Sequence, residues 1–543
     1  MSQSVTPWLA ALLAVTCGGF AWASVICVPQ DQPTIQGALN ALADSDTVLI
    51  DPGTYAEALT APPLSFVMLG NCAVDTSNFA GPWIDPTALP GSDSLTSLFL
   101  PEWAQPTLER IGFRNGAAMY PPGDHIRPVG GIWVTTSFPL IIRHCVFDSV
   151  YEAVTGLIYP GIITVDSSRF TNCYIVGIAC GPGGFLQVHD SRFRMTVLEQ
   201  CTQVNGGTGS IVSRCLFEGQ TARNAIFIGG SNFVVSDCIF RNFGPPLNPN
   251  PANEAITISN YSQGIFENNL ITDGQFSGPA VFVGCNEDSV ILRNNVLARC
   301  LGVELSALPG IVTSCASPPI DSALVIIEDN VLMDGYSTHG IKSIMLFEPA
   351  LVRGNRMLHN DPDTVGAVGT GEDGLEMHDN ILVNNVIGVD LTPFFGPQRT
   401  VHAEWNYWGD STGPYNAAEN PDGLGDEVRG QIVFFNPWHP DTSFLSAPRP
   451  RPSLPQSVSL EIFPNPFNAT ATLKLYVTEP GIFKLDLFNL LGQHVRTIWS
   501  GAVAYEKQIT FDGRDLASGL YFVRVFQTIE NRPVALQKLV IAK

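Results

Sequence analysis

Apolar and polar residues alternate across roughly residues 140–410 in a pattern that returns at a near-constant interval. Its marker is a small polar residue or cysteine followed two positions later by a large apolar one, as in Arg-His-Cys-Val-Phe (143–147) and Glu-Asp-Asn-Val-Leu (328–332). Copies centre on Cys145, Ser168, Ser191, Cys215, Cys238, Asn269, Asn295, Asn330, Asn355, Asn380 and Asn406, with intervals of 23 to 35 residues. Three residues before the markers runs an apolar row from Ile142, Val165 and Val188 to Met377 and Ala403. Two residues after them runs a second, Phe147, Phe170, Phe193, Phe217 and Phe240, then Ile271, Leu297, Leu332, Met357, Leu382 and Trp408. Between the two stands a polar row, Arg143, Asp166, His189, Ser213, Ser236, Glu267, Arg293, Glu328, Arg353, His378 and Glu404, expected to face water. Switching at period two, with β-branched residues crowding the first row, predicts short strands and not helices.

Strands recurring every two dozen residues without helices between them fit the coils of a right-handed parallel β-helix, each coil about 4.8 Å from the next. The second apolar row then stacks its five phenylalanines. The marker becomes a turn ladder: asparagine tolerates left-handed geometry and can pass amide hydrogen bonds from coil to coil, while Cys and Ser are small enough to stack in the same place. A β-propeller blade needs about 40 to 50 residues, twice this period.

Upstream, residues 32–43 place Ile35, Leu39 and Leu42 on one helical face, with Pro33 suited to the first turn. Such a helix caps the open end of the coil stack. Thr47–Ile50 is expected to be the first strand. Three longer segments, 117–128, 244–253 and 305–320, leave from similar points of the repeat, and the first two are expected to wall a groove over the coils marked by Cys145, Ser168, Ser191 and Cys215. Residues 446–456 form a proline-rich linker, so the β-helix spans 24–445. The strands of 457–543, separated by Gly and Pro turns, read as a small β-sandwich.

Composition changes this picture in three respects. The net charge of −22 argues against a nucleic-acid partner. Residues 1–23 read as an export signal, with an apolar stretch from Trp8 to Gly18 and a small-x-small site at Ala21-Trp22-Ala23, and no later segment suits a transmembrane span. Of twelve cysteines, Cys17 falls in that signal, which leaves an odd number. Cys145, Cys215 and Cys238 read as buried small hydrophobes. Cys27 with Cys72, and Cys285 or Cys300 with Cys315, are the candidate bridges.

Candidate chemistry lies along the polar rows. A polysaccharide lyase needs a base beside a uronate carboxylate and a cation to neutralise it, roles open to His189 and Arg143 with Asp166 between them. Asp148, Arg194 and Glu218 stand beyond the marker. The alternative reading of these rows is a solvated salt-bridge ladder. The same two readings apply to Lys342 and His339. Trp405, Tyr407 and Trp408 either cap the distal core or stack on a sugar ring. Asp410, Asp422 and Asp426 are candidate Ca²⁺ ligands whose spacing matches no EF-hand. No other cofactor is expected.

Two resemblances add to this reading. Val28-Pro29, residues 32–36, Asp46–Ile50 and Pro52-Gly53-Thr54-Tyr55 resemble the opening of pectin-lyase-like β-helix proteins, and residues 404–414 with 422–426 and 435–438 resemble the closing segment of many right-handed β-helix proteins. The paired Asp-Asp, Gly-His-Gly and Arg-Ile-Lys elements of the pectin-hydrolysing members do not occur, which disfavours a polygalacturonase. Phe463-Pro464-Asn465-Pro466-Phe467-Asn468, residues 487–492 ending in Gly492, residues 516–521 with Gly519 and Tyr521, and the ending that begins at Lys538 resemble the type A C-terminal sorting domain of the type IX secretion system. That resemblance implies an immunoglobulin-like sandwich read by an outer-membrane translocon, with release or attachment at the cell surface. The expected function is carbohydrate binding or adhesion; the alternative is a lyase or glycoside hydrolase acting on an acidic glycan.

Overall fold

Each repeat contributes one strand to each of three sheets, as in Leu140–Arg143, Val146–Asp148 and Glu152–Gly156. The computed structural model describes residues 23–446 and 458–542, apart from short internal stretches of which the longest are 116–129, 196–201, 244–253, 303–310, 315–324, 338–343, 361–367 and 392–399. The expected export signal and linker therefore lie outside the described residues but for Ala23 and Ser446. The chain divides into two compact units, Met1–Ser446 and Ala447–Lys543.

In the first unit the sheets hold sixteen, thirteen and fourteen strands among the described residues, every neighbour being the next coil in parallel register. The two apolar rows become the inward faces of the first and second sheets, and all of their members are buried. In-register stacking fixes the ring geometry: successive rings from Phe147 to Phe240 lie 4.7 to 4.9 Å apart and within 10° of parallel. Phe113 extends the five to six, 5.0 Å from Phe147. The third sheet supplies a further inward row, including Ile132, Val154, Ile178, Ile226 and Ile256. The marker does not reveal it, because connections of unequal length separate these strands from the marker.

The markers are buried, and most pass a hydrogen bond to the next. Cys145 N–H donates to Ser168 Oγ (3.1 Å), Cys238 N–H to Asn269 Oδ1 (2.9 Å) and Asn295 N–H to Asn330 Oδ1 (2.9 Å). From Asn269 onward the side chains add a second bond, as in Asn330 Nδ2 to Asn355 Oδ1 (3.0 Å), and a third to a backbone carbonyl, Leu292 O (2.9 Å). The left-handed residue is not the marker but the one before it: His144, Ser167, Asp190, Arg214, Asp237 and Asp379 all have φ between 50° and 57°. Left-handed geometry at that point turns the marker inward, so its amide meets backbone groups that water cannot reach. A second ladder, which the repeat marker does not reveal, runs through Gly335, Asn360 and Asn385 and ends on Asp426.

Several expectations are corrected. The capping helix is only Ile35–Asn40; Thr34 is its N-cap, accepting from Gly37 N (3.0 Å), so Pro33 precedes the helix. Glu57 accepts from both Ile35 N (2.9 Å) and Gln36 N (2.8 Å), satisfying two amides the first turn leaves free. The first strand is Val25–Val28, paired with Thr47–Ile50. Cys27 and Cys72 are free thiols and not a bridge: Cys27 lies in register with Leu49 on the first sheet, whereas Cys72 Sγ lies against Arg110 O at 3.8 Å. Cys300 is also free and buried, and burial pushes its thiol up to about 12. Cys285 and Cys315 lie outside the described residues. The polar row does not uniformly face water either, since Ser213 and Glu328 are buried.

The second unit is antiparallel. Val458–Phe463, Thr470–Val477 and Glu506–Asp512 form one sheet, and His494–Val503, Gly481–Asn489, Gly519–Gln527 and Arg532–Ile541 the other. Both bury alternate side chains, Leu473, Leu475, Leu485, Leu487, Val523 and Val525 among them, in one common core. This is the small sandwich that the alternation predicted.

Candidate functional site

Arg143, Asp166 and His189 are brought into one column of the first sheet, each directly opposite the next. They do not converge on a common point. Asp166 accepts from Ser167 Oγ (3.1 Å), and His189 Nδ1 lies 2.8 Å from Ser213 Oγ, which also accepts from Arg214 Nη1 (3.2 Å). Arg214 in turn pairs with Asp190 through two hydrogen bonds of 2.9 and 2.7 Å, which hold that carboxyl below its ordinary range. Farther along, Glu267 pairs with Arg293 and Glu328 with Arg353, each at 2.7 Å. Beyond the marker, Asp148, Arg194 and Glu218 share a second column with Arg241, whose Nε donates to Glu218 Oε1 at 2.6 Å. The Glu218–Arg241, Glu267–Arg293 and Glu328–Arg353 pairs are lateral ion pairs between coils. Lys342 and His339 lie outside the described residues, as do the expected groove walls 117–128 and 244–253. Within 305–320, Ile311–Ser314 is not an insertion but a strand of the third sheet.

The last coil carries a different arrangement. Trp408 is fully buried and closes the second sheet's apolar row, so it is unavailable to a ligand. Tyr407 donates to Gly409 O (2.9 Å). Trp405 stands at the left-handed position occupied in most other coils by small or polar residues, with φ 60° and half its surface exposed (52%). A bulky residue there is an outlier whose cost the surrounding bonds must offset; its N–H donates to Pro437 O (2.6 Å) and its C=O accepts from Asp379 N (2.7 Å). The indole tilts over His439 at 5.6 Å, and the His439 ring stacks on Phe444 at 3.9 Å. His439 Nε2 lies 3.0 Å from Asp379 Oδ1, and His378 Nδ1 lies 3.1 Å from the other oxygen. Together these residues form an exposed aromatic platform edged by a carboxylate and two imidazoles.

The three candidate calcium ligands are not brought together. Asp410 accepts from Thr412 N (2.9 Å) and Oγ1 (2.8 Å) as a turn former, and Asp422 is exposed. Asp426 is buried and accepts from Asn385 Nδ2 (2.7 Å); burial pushes its carboxyl up. No group of three or more His, Cys, Asp and Glu suited to a metal occurs among the described residues.

On the sandwich, the sorting motif is tied to the last strand. Asn465 Nδ2 donates to Lys538 O (2.7 Å), Asn465 Oδ1 accepts from Val540 N (2.8 Å), and Phe467 is buried and exchanges backbone bonds with Val540 and Ala542. Tyr521 Oη donates to Ala517 O (3.2 Å) beside Gly519. Pro464, Pro466, Asn468 and the Lys538 side chain stay exposed, while Gly492 lies outside the described residues.

One site escaped sequence reasoning. On the third sheet, Thr96, Gly130, Gly131, Ile132, Trp133, Glu152 and Thr155 line a shallow niche of about 10 Å³, room for about one water molecule. Its only sequence signal is the glycine pair set one coil before a glutamate. Such a pair has no meaning until the register is known.

The family model described as a right-handed β-helix region matches residues 190–392, and that described as a secretion system C-terminal sorting domain matches residues 461–542. The chain is thus a right-handed parallel β-helix protein with a type IX secretion sorting domain, which directs it to the cell surface or the medium. Solved structures similar to it include a mutant tailspike protein of the E. coli bacteriophage HK620 with bound pentasaccharide, 12% identical over 88% of this chain and 89% of that one, TM-score 0.38. Another is the catalytic domain of a GH87 α-1,3-glucanase with nigerose, 10% identical over 76% and 69%, TM-score 0.30. Scores this low carry no argument about ligand or reaction. None of the curated proteins matches.

Proposed function

We propose that this exported β-helix is a non-catalytic glycan-binding protein of the cell surface, and that Trp405 is its principal contact. The observation behind this reading is the exposed indole held in left-handed geometry beside His439 and Asp379. An aromatic face packs on the C–H face of a pyranose, while a carboxylate and imidazoles bond its hydroxyls. The ladders support binding over catalysis, since Glu267, Glu328 and His189 of the polar row are each engaged with a lateral neighbour, Arg293, Arg353 and Ser213. Lyase or hydrolase action on an acidic glycan would rest on Arg143, Asp166 and His189.

The test is a screen of the purified full chain against acidic and neutral polysaccharides, reading retention, unsaturated-product absorbance and reducing ends together. Retention without either product, weakened about tenfold by Trp405→Ala, is the expected result. Product of either kind, or retention indifferent to Trp405→Ala, overturns it.

A further inference from the structure

The outer face of the second sheet carries arginines that have no acid to meet. Elsewhere on the stack Arg214, Arg241, Arg299 and Arg353 each pair with an acid of the coil before, Asp190, Glu218, Asp273 and Glu328. In the coils marked by Ser168 and Ser191, by contrast, Arg169 stands directly opposite Arg192, and Arg194 follows on the same strand. Phe193 between them is buried, so Arg192 and Arg194 project from one outer face, and both are exposed. Neither has a hydrogen-bond or ionic partner among the described residues. The acid next in the column of Arg194, Glu218, is held by Arg241, and Asp148 stands two coils earlier. Arg169 is fixed in place: its Nη1 donates to Ser77 O (3.1 Å), on a segment lying over the first coils of this face, where a Cβ on Gly112 would meet the Phe79 ring at 2.8 Å. Its Nε is buried without a partner. Like charges in register repel and a buried donor left unmade costs stability, so three guanidiniums are gathered here at a cost that no ion pair among the described residues offsets.

We propose that Arg169, Arg192 and Arg194 form a binding site for a tetrahedral oxyanion, the sulfate or phosphate ester of a polysaccharide. Register sets the Cα atoms of Arg169 and Arg192 about 4.8 Å apart along the stack, and those of Arg192 and Arg194 lie about 6.6 Å apart along one strand, so long side chains from all three reach a single anion. A planar carboxylate is satisfied by one guanidinium fork. A tetrahedral ester offers three free oxygens and engages three forks at once, which is why this arrangement favours sulfate or phosphate over a uronate or an acidic peptide. The site is separate from the Trp405 platform and does not depend on it. Because the net charge of the chain is −22, the field around the molecule does not draw polyanions in general, and recognition falls to this local cluster.

Calorimetry of the full chain with dextran sulfate, phosphomannan, polygalacturonate, polyglutamate and unmodified dextran tests this, with melting temperatures recorded for every variant. The expected result is that at least one ester polymer binds more tightly than either carboxylate polymer; dextran sulfate alone assigns the sulfate ester and phosphomannan alone the phosphate ester. Arg192→Ala and Arg194→Ala should each weaken that binding about tenfold without lowering the melting temperature, and Arg192→Lys, which keeps the charge but not the fork, should restore only part of it. Arg299→Ala removes the same charge from a paired arginine elsewhere and should leave binding unchanged. Trp405→Ala should also leave it unchanged, so ester binding lost there and indifferent to Arg192 and Arg194 would sink this inference while leaving the first reading intact. It is overturned equally if neither ester polymer binds, if polygalacturonate or polyglutamate binds as tightly, or if Arg299→Ala weakens binding as much as Arg192→Ala. Should Arg192→Ala lower the melting temperature, Arg194→Ala decides.

Discussion

The coils before and after the marker at Cys238 have the same backbone but hold together differently. The earlier ones stack six phenylalanines, Phe113 to Phe240, beneath a marker ladder of Cys and Ser that mostly passes one hydrogen bond per coil. The later ones replace the rings with Ile, Leu and Met until Trp408 closes the row, and gain an asparagine ladder with three or four bonds per rung. The exchange takes place at one coil boundary, where Cys238 N–H donates to Asn269 Oδ1 and Phe240 gives way to Ile271. A coil must satisfy its buried turn amides and fill its corner. Rings and small side chains do so mainly by packing, and amides mainly by hydrogen bonding.

Breaking each half at its centre should separate the two. The largest loss is expected from Phe193→Ala, which removes a ring flanked at 4.7 and 4.9 Å, at about 4 kcal/mol. Asn330→Ala should follow at about 3 kcal/mol, because it strips Asn295 N–H and Nδ2 of their acceptor and Leu292 O of its donor. The matching change among the earlier coils, Ser168→Ala, removes the acceptor of Cys145 N–H and the hydroxyl that donates to Asp166 O, and should cost about 1 kcal/mol. Urea midpoints of the β-helix transition measure all three. Equal losses at Asn330 and Ser168 would show that the two ladders do the same work.

The smallest effect should have the opposite sign. Asp426 ends the second ladder where its other members are neutral, and its raised carboxyl means that the folded state holds a proton to higher pH than the unfolded state. Its contribution to stability therefore falls as pH rises from the ordinary carboxylate range through the folded value, and the penalty is complete above it. Asp426→Asn should stabilise the β-helix by about 1 kcal/mol at neutral pH, with the gain vanishing on acidification. A gain that persists at acid pH would trace the effect to packing and not to charge.

Different parts of the molecule were legible to different degrees. The two inward rows, the phenylalanine stack and the turn ladder all follow from period-two alternation repeated at fixed intervals, because stacking in register puts equivalent positions in contact. The sorting motif was likewise visible, although its Asn465 proves to be a clamp on the last strand as much as a surface feature. The third sheet, the second amide ladder and the Glu152 niche were not visible. Connections of varying length break the interval there, and nothing in a glycine pair announces which coil's glutamate will lie beside it.

By itself, the sequence determined the coil, its handed repeat, its sandwich domain and its export route, since these depend on residue type at recurring positions. Only the tertiary structure decided what the exposed groups do. It paired Glu267 with Arg293 and Glu328 with Arg353 along the polar row, buried Trp408 while leaving Trp405 outside, tied Asp426 to Asn385 and set Trp133 beside Glu152. The physical reason is that burial within a coil is set locally by side-chain alternation, whereas a site is made between coils. Its members meet only when the register and the length of every intervening connection are fixed.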